Sequence, residues 1–232
     1  MDKYVLIVAG GKGLRMGGDL PKQFIPMRGK PLLMHTLEAF HRWDASARII
    51  LVLPEDHQPY WNMLCKEIGC KVPHAIVKGG DTRFFSVKNG VDWRLAERRR
   101  KGEEDSGLSL VAVHDGVRPF VSPEVVEACF DKAAVTGAVI PVVPMIDSLR
   151  ETDEKGSHPV DRSRYMAVQT PQVFLLELLT KAYEQPYSSL FTDDASVVEA
   201  MGHAIDTVPG DRENIKITTP FDLLIAEAMF AR

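Results

Sequence analysis

The chain has 232 residues, 45% of them hydrophobic and 26% charged, with a formal net charge of −4. That supplies one sizeable core and excludes a polyelectrolyte surface for nucleic acid, so any anion site must be a local cluster. No run of 18 apolar residues marks a membrane span, Met1-Asp2-Lys3 lacks a signal-peptide pattern, and Cys65, Cys70 and Cys129 are an odd set without metal-ligand spacing, all of which fits a reducing cytoplasm.

Tyr4-Val5-Leu6-Ile7-Val8 predicts a buried first strand. It runs into Ala9-Gly10-Gly11-Lys12-Gly13-Leu14-Arg15-Met16-Gly17-Gly18-Asp19-Leu20-Pro21-Lys22-Gln23. The glycines allow the backbone to curl around a ligand, and Arg15 and Lys22 add two cations, a combination suited to a nucleoside triphosphate. Leu14 after Gly13 excludes a P-loop. Met16 replaces the glycine that a dinucleotide fingerprint needs, and Pro21 opposes an immediate helix. An ordinary glycine-rich strand-to-helix turn is the plainer alternative.

Further along, Leu33, Leu37 and Phe40 recur at helical spacing after Pro31. Arg48 to Leu53 predicts a second strand stopped by Pro54, and Trp61, Leu64 and Ile68 a helix. Ala75 to Val77 is a short third strand, followed by a helical face of Val87, Val91 and Leu95. Residues 94–105 carry dense mixed charge and read as a solvated helix end and loop. Leu108 to Val113 predicts a fourth strand, apolar almost throughout as strands covered on both faces are. Ser122-Pro123 caps a helix with a Val126, Cys129, Phe130 and Ala133 stripe, and Ala138 to Val143 is a fifth strand. Residues 146–170 are polar and lack a helical period, predicting an extended arm or hairpin. Helical patterns return at Leu175 to Tyr183 and Asp193 to Met201, with a late strand from Ile205 to Val208. Thr219-Pro220 opens the last helix, with Asp222 as capping partner and Phe221, Leu224, Ile225, Ala228 and Met229 on its buried side. The βαβα order predicts an α/β fold: one domain over 1–232, built on a doubly wound, mostly parallel sheet, with an arm at about 146–170.

Open parallel sheets bind ligands beyond the carboxyl ends of their strands. The glycine loop, Gly79-Gly80-Asp81-Thr82-Arg83 with Ser86, and His114-Asp115-Gly116-Val117-Arg118-Pro119 all fall there. Asp115 is either a turn-capping residue or a magnesium ligand, and the neighbouring glycine loop favours the metal. His114 reads as a packing or loop-fixing residue, not a base. Arg118 suits either a substrate phosphate or a structural ion pair. On an extended segment Lys216 points away from Ile215 and Ile217, either into the pocket or, as pattern alone favours, to solvent.

These motifs together resemble the 2-C-methyl-D-erythritol 4-phosphate cytidylyltransferase family over nearly the whole chain. The resemblance is carried by residues 9–16 and 21–23, Gly79-Gly80-x-x-Arg83-x-x-Ser86-Val87 and His114-Asp115-x-x-Arg118-Pro119. Asp161-Arg162, Thr170-Pro171-Gln172, Thr192-Asp193 with Ala195-Ser196, and Asn214-Ile215-Lys216 complete it. It implies a Rossmann-like nucleotidyltransferase fold with an extended β-arm for dimerisation, and transfer of CMP from CTP to methylerythritol 4-phosphate with Mg²⁺. Arg15, Lys22, Arg162 and Lys216 would be catalytic. Ala9, Gly10, Gly11, Gly13, Gly80, Asp81, Ser86 and Gly116 would hold the nucleotide. Asp115 would bind the metal, and Asp115, Arg118, Ser148, Arg162, Thr170 and Lys216 the substrates. The arm would reach across a homodimer, placing Arg162 at the neighbouring subunit's site. The substrate phosphate is already ionised near neutral pH, so its attack on the α-phosphorus needs no general base; the cations would act by positioning and electrostatics.

A ribitol 5-phosphate cytidylyltransferase shares the Gly10 to Gly13 loop, Pro21-Lys22-Gln23-Phe24 and Asn214-Ile215-Lys216. Thr192-Asp193-Asp194-Ala195-Ser196 and the spacing from Asp161-Arg162 to Thr170 favour the methylerythritol branch. A nicotinamide-dependent oxidoreductase fails on Met16 and the Pro21-Lys22-Gln23 continuation. A catalytically silent nucleotide-binding subunit is disfavoured by the joint presence of Arg15, Lys22, Asp115 and Lys216.

Overall fold

The computed structural model describes residues 1–10, 20–102 and 108–231. In chain order the elements begin with β1 (Asp2–Val8), the short pair β2 (Pro26–Met27) and β3 (Lys30–Pro31), and α1 (Leu32–Trp43). Then come β4 (Arg48–Leu53), α2 (Gln58–Ile68), β5 (His74–Lys78), α3 (Arg83–Lys101), β6 (Ser109–Asp115), α4 (Pro123–Thr136) and β7 (Ala138–Pro144). A hairpin of β8 (Leu149–Asp153) and β9 (Gly156–Val160) leads to β10 (Met166–Val168) and β11 (Gln172–Leu175). The chain finishes with α5 (Leu176–Ala182), α6 (Asp194–Glu199), β12 (Asp206–Pro209) and α7 (Pro220–Phe230).

The central sheet is mainly parallel. β6, β1, β4 and β5 lie side by side in one direction, and β12 runs parallel to β7. Alternating side chains in β1 show why it is doubly wound. Val5 and Ile7 join Leu33, Leu37 and Phe40 of α1 and Val126, Cys129 and Phe130 of α4. Tyr4 and Leu6 join Phe84, Val87 and Val91 of α3 and Leu176 and Leu179 of α5 on the opposite face. The Ser122 cap of α4 and the reciprocal Thr219–Asp222 cap of α7 form as expected.

Several expectations need correction. The fourth strand continues through His114 and Asp115, because β1 pairs with it as far as Val8 opposite Asp115. Gln172–Leu175 is a strand inserted antiparallel between β6 and β7; four residues leading straight into a helix carry no separate period. The predicted arm is hairpin only over β8 and β9, since β10 returns to the sheet against β7. Arg94 is buried, with its guanidinium over the Tyr4 ring, so the solvated helix end begins after it; residues 103–105 of that stretch lie outside the described ones. Ile68 of α2 is exposed while Trp61 is fully buried. The last helix is turned relative to its expected face: Phe221 and Leu224 are 68% and 63% exposed, and Ala226 is buried with Leu223 and Phe230 beside it. This helix is apolar almost all round, so periodicity could not choose its face.

Candidate active site

Three strand ends converge at the carboxyl edge of the sheet. β1 delivers Val8, Ala9 and Gly10, the loop after β5 delivers Gly80, Asp81 and Thr82, and β6 delivers Asp115. With Lys22, Gln23, Arg83, Ser86, Val117 and Lys216 they line a cavity of about 220 Å³. A second cavity of about 310 Å³ adjoins it, walled by Arg118, Gln169, Thr170, Gln172, Thr192 and Asp193. Arg83, Asp115 and Lys216 line both.

The first cavity is shaped by the start of α3. Thr82 caps that helix, its hydroxyl oxygen accepting from the Phe85 amide at 3.4 Å. The Ser86 hydroxyl donates to the Thr82 carbonyl at 2.9 Å and accepts from the Gly80 amide at 3.1 Å. A Cβ on Gly80 would stand 2.4 Å from that of Phe85, so only glycine lets the loop fold back on the helix. The positive end of the helix dipole therefore borders the cavity, as an anion site requires. Gly116 supports the floor from below. A Cβ there would come within 2.8 Å of Ala9 Cβ, and its amide donates to the Val8 carbonyl at 2.9 Å.

Asp115 is the electrostatic centre. Its Oδ1 accepts from Arg83 Nη1 at 3.1 Å, and its Oδ2 meets Arg118 Nε at 3.0 Å and Lys216 Nζ at 3.1 Å. Burial works against its ionisation, but Arg83, Lys216 and Arg118 outweigh it and hold the carboxyl well below the usual carboxylate range. His114 beneath it is fully buried, and burial pushes its pKa down to about 4. The Arg118 carbonyl lies 3.1 Å from Nε2, so the neutral ring carries its proton there. Nδ1 then accepts from the Thr170 hydroxyl at 3.0 Å, whose oxygen accepts from the Asp115 amide at 3.2 Å. His114 thus fixes the strand end, as expected, and has no lone pair left for a base.

Lys216 turns away from the core as its flanking residues suggest, and the fold brings that side to the cavity and not to bulk solvent. Ile217 is buried and Ile215 partly so, both packed around Val117, which turns the intervening residue outward toward Asp115. The approach to this segment is clamped by Gln169, which donates to the Asp211 carbonyl at 2.7 Å and accepts from its amide at 3.1 Å. Buried Asn214 donates to the Thr170 carbonyl at 2.8 Å, and its own carbonyl accepts from Arg118 Nη1 at 2.8 Å.

The family model for 2-C-methyl-D-erythritol 4-phosphate cytidylyltransferase (IspD) matches residues 4–232. The chain belongs to this family. A relative of that name from Bacteroides fragilis is 56% identical over 229 residues, covering 99% of this chain and 100% of the relative. Two solved structures are similar. The 2-C-methyl-D-erythritol 4-phosphate cytidylyltransferase of Thermus thermophilus has a TM-score of 0.74 at 31% identity, with 100% of both chains covered. The 4-diphosphocytidyl-2C-methyl-D-erythritol synthase of Anaerococcus prevotii has a TM-score of 0.79 at 28% identity, covering 100% of this chain and 96% of the other. As a cytidylyltransferase this chain is an enzyme of the nucleotidyltransferase class, and no helix among its described residues is long and apolar enough to cross a membrane.

Of the residues the sequence pointed to, Ala9, Gly10, Lys22, Gly80, Asp81, Ser86, Asp115 and Lys216 line the first cavity, while Asp115, Arg118, Thr170 and Lys216 line the second. Gly11, Gly13 and Arg15 lie outside the described residues. Gly116 packs under the site and lines neither cavity. Ser148 and Arg162 are exposed and also line neither; the Arg162 guanidinium donates to the Ile146 carbonyl. Sequence reasoning gave no role to Gln23, Arg83 or Asp194. The signal for Arg83 and Asp194 was present in the motifs that contain them, but only the fold shows that these two motifs meet.

Proposed function

We propose that these adjoining cavities transfer CMP from CTP to 2-C-methyl-D-erythritol 4-phosphate, forming 4-diphosphocytidyl-2-C-methyl-D-erythritol and pyrophosphate, a step of isoprenoid synthesis. CTP occupies the 220 Å³ cavity and the methylerythritol phosphate the 310 Å³ cavity. The observation that carries this is the wall the two cavities share at Asp115, where the Lys216 ammonium borders both and brings two anionic substrates to one place. The glycine-bounded loops and the start of α3 cradle the nucleotide. Lys22 and Lys216, with Arg15, stabilise the charge that builds on the phosphates during displacement, and Arg118 and Thr170 border the second substrate.

The donor set suits Mg²⁺ that arrives with the nucleotide. Among the described residues no group of three or more His, Cys, Asp or Glu is placed to hold a metal by itself. Asp115 is one carboxylate already carrying three cationic partners, and Mg²⁺ characteristically takes one or two carboxylates together with substrate phosphates. Bound there, it would neutralise phosphate charge.

The domain reading is a single catalytic unit over 1–232 whose hairpin projects to a second copy. In that homodimer Arg162 and Ser148 serve the partner's methylerythritol phosphate, which accounts for their distance from the cavities of their own chain. Pyrophosphate release from CTP and Mg²⁺ tests the reaction, with methylerythritol 4-phosphate and ribitol 5-phosphate as competing acceptors. Turnover with the first is expected; turnover with ribitol 5-phosphate alone would overturn the substrate assignment. Sedimentation of the intact protein and of a chain with β8 and β9 replaced by a short turn tests the dimer. An unchanged mass would remove the arm from that role.

A further inference from the structure

The Gly79-Gly80-x-x-Arg83 and Thr192 to Ser196 motifs lie more than a hundred residues apart, and the chemistry above uses neither Arg83 nor Asp194 directly. The fold joins them. Asp193 caps α6 through a reciprocal bond with Ser196, which sets Asp194 at the first helical position, fully buried. A buried carboxylate persists only if it is paired and hydrogen-bonded. Asp194 Oδ1 accepts from the Tyr183 hydroxyl at 2.6 Å and Oδ2 from Arg83 Nη2 at 2.5 Å. Burial and the adjacent Asp194 charge push the Tyr183 phenol pKa up, so the phenol stays a donor. The other terminal nitrogen of Arg83 holds Asp115 Oδ1.

One guanidinium therefore spans a fully buried carboxylate and one that borders the cavities. The planar fork of arginine does this with two nitrogens, whereas the single ammonium of lysine has no such pair of arms. The two oxygens of Asp115 become unequal as a result. Oδ1 is held by the anchored Arg83 alone, while Oδ2 is shared between Arg118 and Lys216, whose side chain is 44% exposed and able to turn toward an incoming phosphate.

We propose that Arg83, anchored by Asp194 and Tyr183, is a positioning residue that presents Asp115 to the metal-bearing nucleotide in one orientation. This rests on the reading of Asp115 as the contact for nucleotide-borne Mg²⁺.

The test is calorimetric binding of CTP, with Mg²⁺ and with EDTA, to the wild type, Asp115→Asn, Arg83→Lys and the double variant Arg83→Gln/Asp194→Asn. The double variant leaves no buried charge unpaired, so it guards against simple unfolding, which is followed by thermal denaturation. Arg83→Lys and the double variant should bind Mg²⁺-CTP about 10- to 100-fold more weakly, the usual effect of removing a group that orients a metal ligand. Their affinity for CTP in EDTA should stay within about threefold of wild type, because the glycine loops and cations that hold the nucleotide itself are untouched. In turnover, KM for CTP should rise while KM for methylerythritol phosphate stays within about twofold. Wild-type CTP binding that ignores Mg²⁺, or Asp115→Asn that binds Mg²⁺-CTP normally, would overturn the reading of Asp115. Normal behaviour of those two proteins with Mg²⁺-CTP affinity unchanged in both Arg83 variants would overturn the role of Arg83 alone. Equal losses with Mg²⁺ and with EDTA would show a general effect on the pocket and also overturn it.

Discussion

The cations of the strand-end cluster and the cations of the hairpin are built in opposite ways. Arg83, Arg118 and Lys216 each lie within 3.1 Å of Asp115, on a strand end packed between two helical layers. In β8 and β9 every residue is exposed except the partly buried Leu149 and Val160. The hairpin is held by its own ladder and by exposed polar pairs such as Arg150 with Ser157 and His158 with Glu151. A lone two-stranded hairpin is marginal in water. The sheet therefore presents charge already in place, whereas the arm carries its charge on an exposed hairpin held by its own ladder. Catalytic effects should concentrate at the first, and effects on substrate capture and assembly at the second.

The largest effect expected from this contrast is at Lys216. Lys216→Ala leaves Asp115 paired with Arg83 and Arg118, so the fold is retained while a preorganised positive charge beside both cavities is lost. Steady-state kinetics should show kcat lower by about 10²-fold or more, the scale for one preorganised donor, and Lys22→Ala should behave alike. Near wild-type kcat in both would break the contrast at its catalytic side.

Acid stability separates the same two regions. His114 is held at about 4 under the cluster, against about 6.5 in an unfolded chain. Its native pKa is depressed and its neutral form is the buried one, so its contribution is complete above about pH 6.5. The unfolded chain binds a proton first as pH falls, and the contribution is lost progressively down to about pH 4, amounting to about 3 kcal/mol. Urea unfolding at pH 7.5, 5.5 and 4.5 should show this slope, and His114→Gln should flatten it. His158→Gln, which removes only an exposed pair with Glu151 on the hairpin, should leave stability at pH 7.5 unchanged.

How much of this was legible in the sequence differs between the same regions. β1, β4 and β6 announce themselves as apolar runs, and the motifs beyond the ends of β1, β5 and β6 carry the site chemistry in their residue types. Ile215 and Ile217 alternating around Lys216 show that it turns away from the core, but only the fold selects the cavity over solvent. The face of α7 was illegible because Phe221, Leu223, Leu224, Ile225 and Phe230 surround the helix, and only its contact with Val117 and Ile217 selects one side. β11 was missed because four residues are too few to show a period. The bond between Arg83 and Asp194 spans 111 positions and follows from tertiary packing, which no local pattern encodes. For the arm, sequence showed a polar non-helical stretch, but not that β10 returns to the sheet.

Arg162→Ala carries the contrast to the arm. If Arg162 seats the methylerythritol phosphate at the partner's site, its loss should raise KM for that substrate about 10-fold, the worth of a charge-assisted contact. It should leave CTP binding within experimental error and the unfolding midpoint unshifted, since the guanidinium is exposed. An equal loss of CTP affinity would mean that the arm shapes the nucleotide cavity as well, and the division between the two regions would fail.

The smallest effect is expected at Arg150, and it sharpens the contrast most. Its Nε donates to the Ser157 hydroxyl at 2.9 Å and its Nη2 to the Ser157 carbonyl at 2.7 Å, both on the exposed hairpin. Water replaces such bonds readily, so Arg150→Ala should cost less than about 0.5 kcal/mol and leave turnover unaltered. Chemical denaturation of the purified protein would read this directly. A cost of several kcal/mol would mean that this face of the hairpin is packed against a second copy, because two solvent-exposed bonds cannot supply it. Concentration dependence of the unfolding midpoint would then distinguish a lost intersubunit contact from a lost intrachain one.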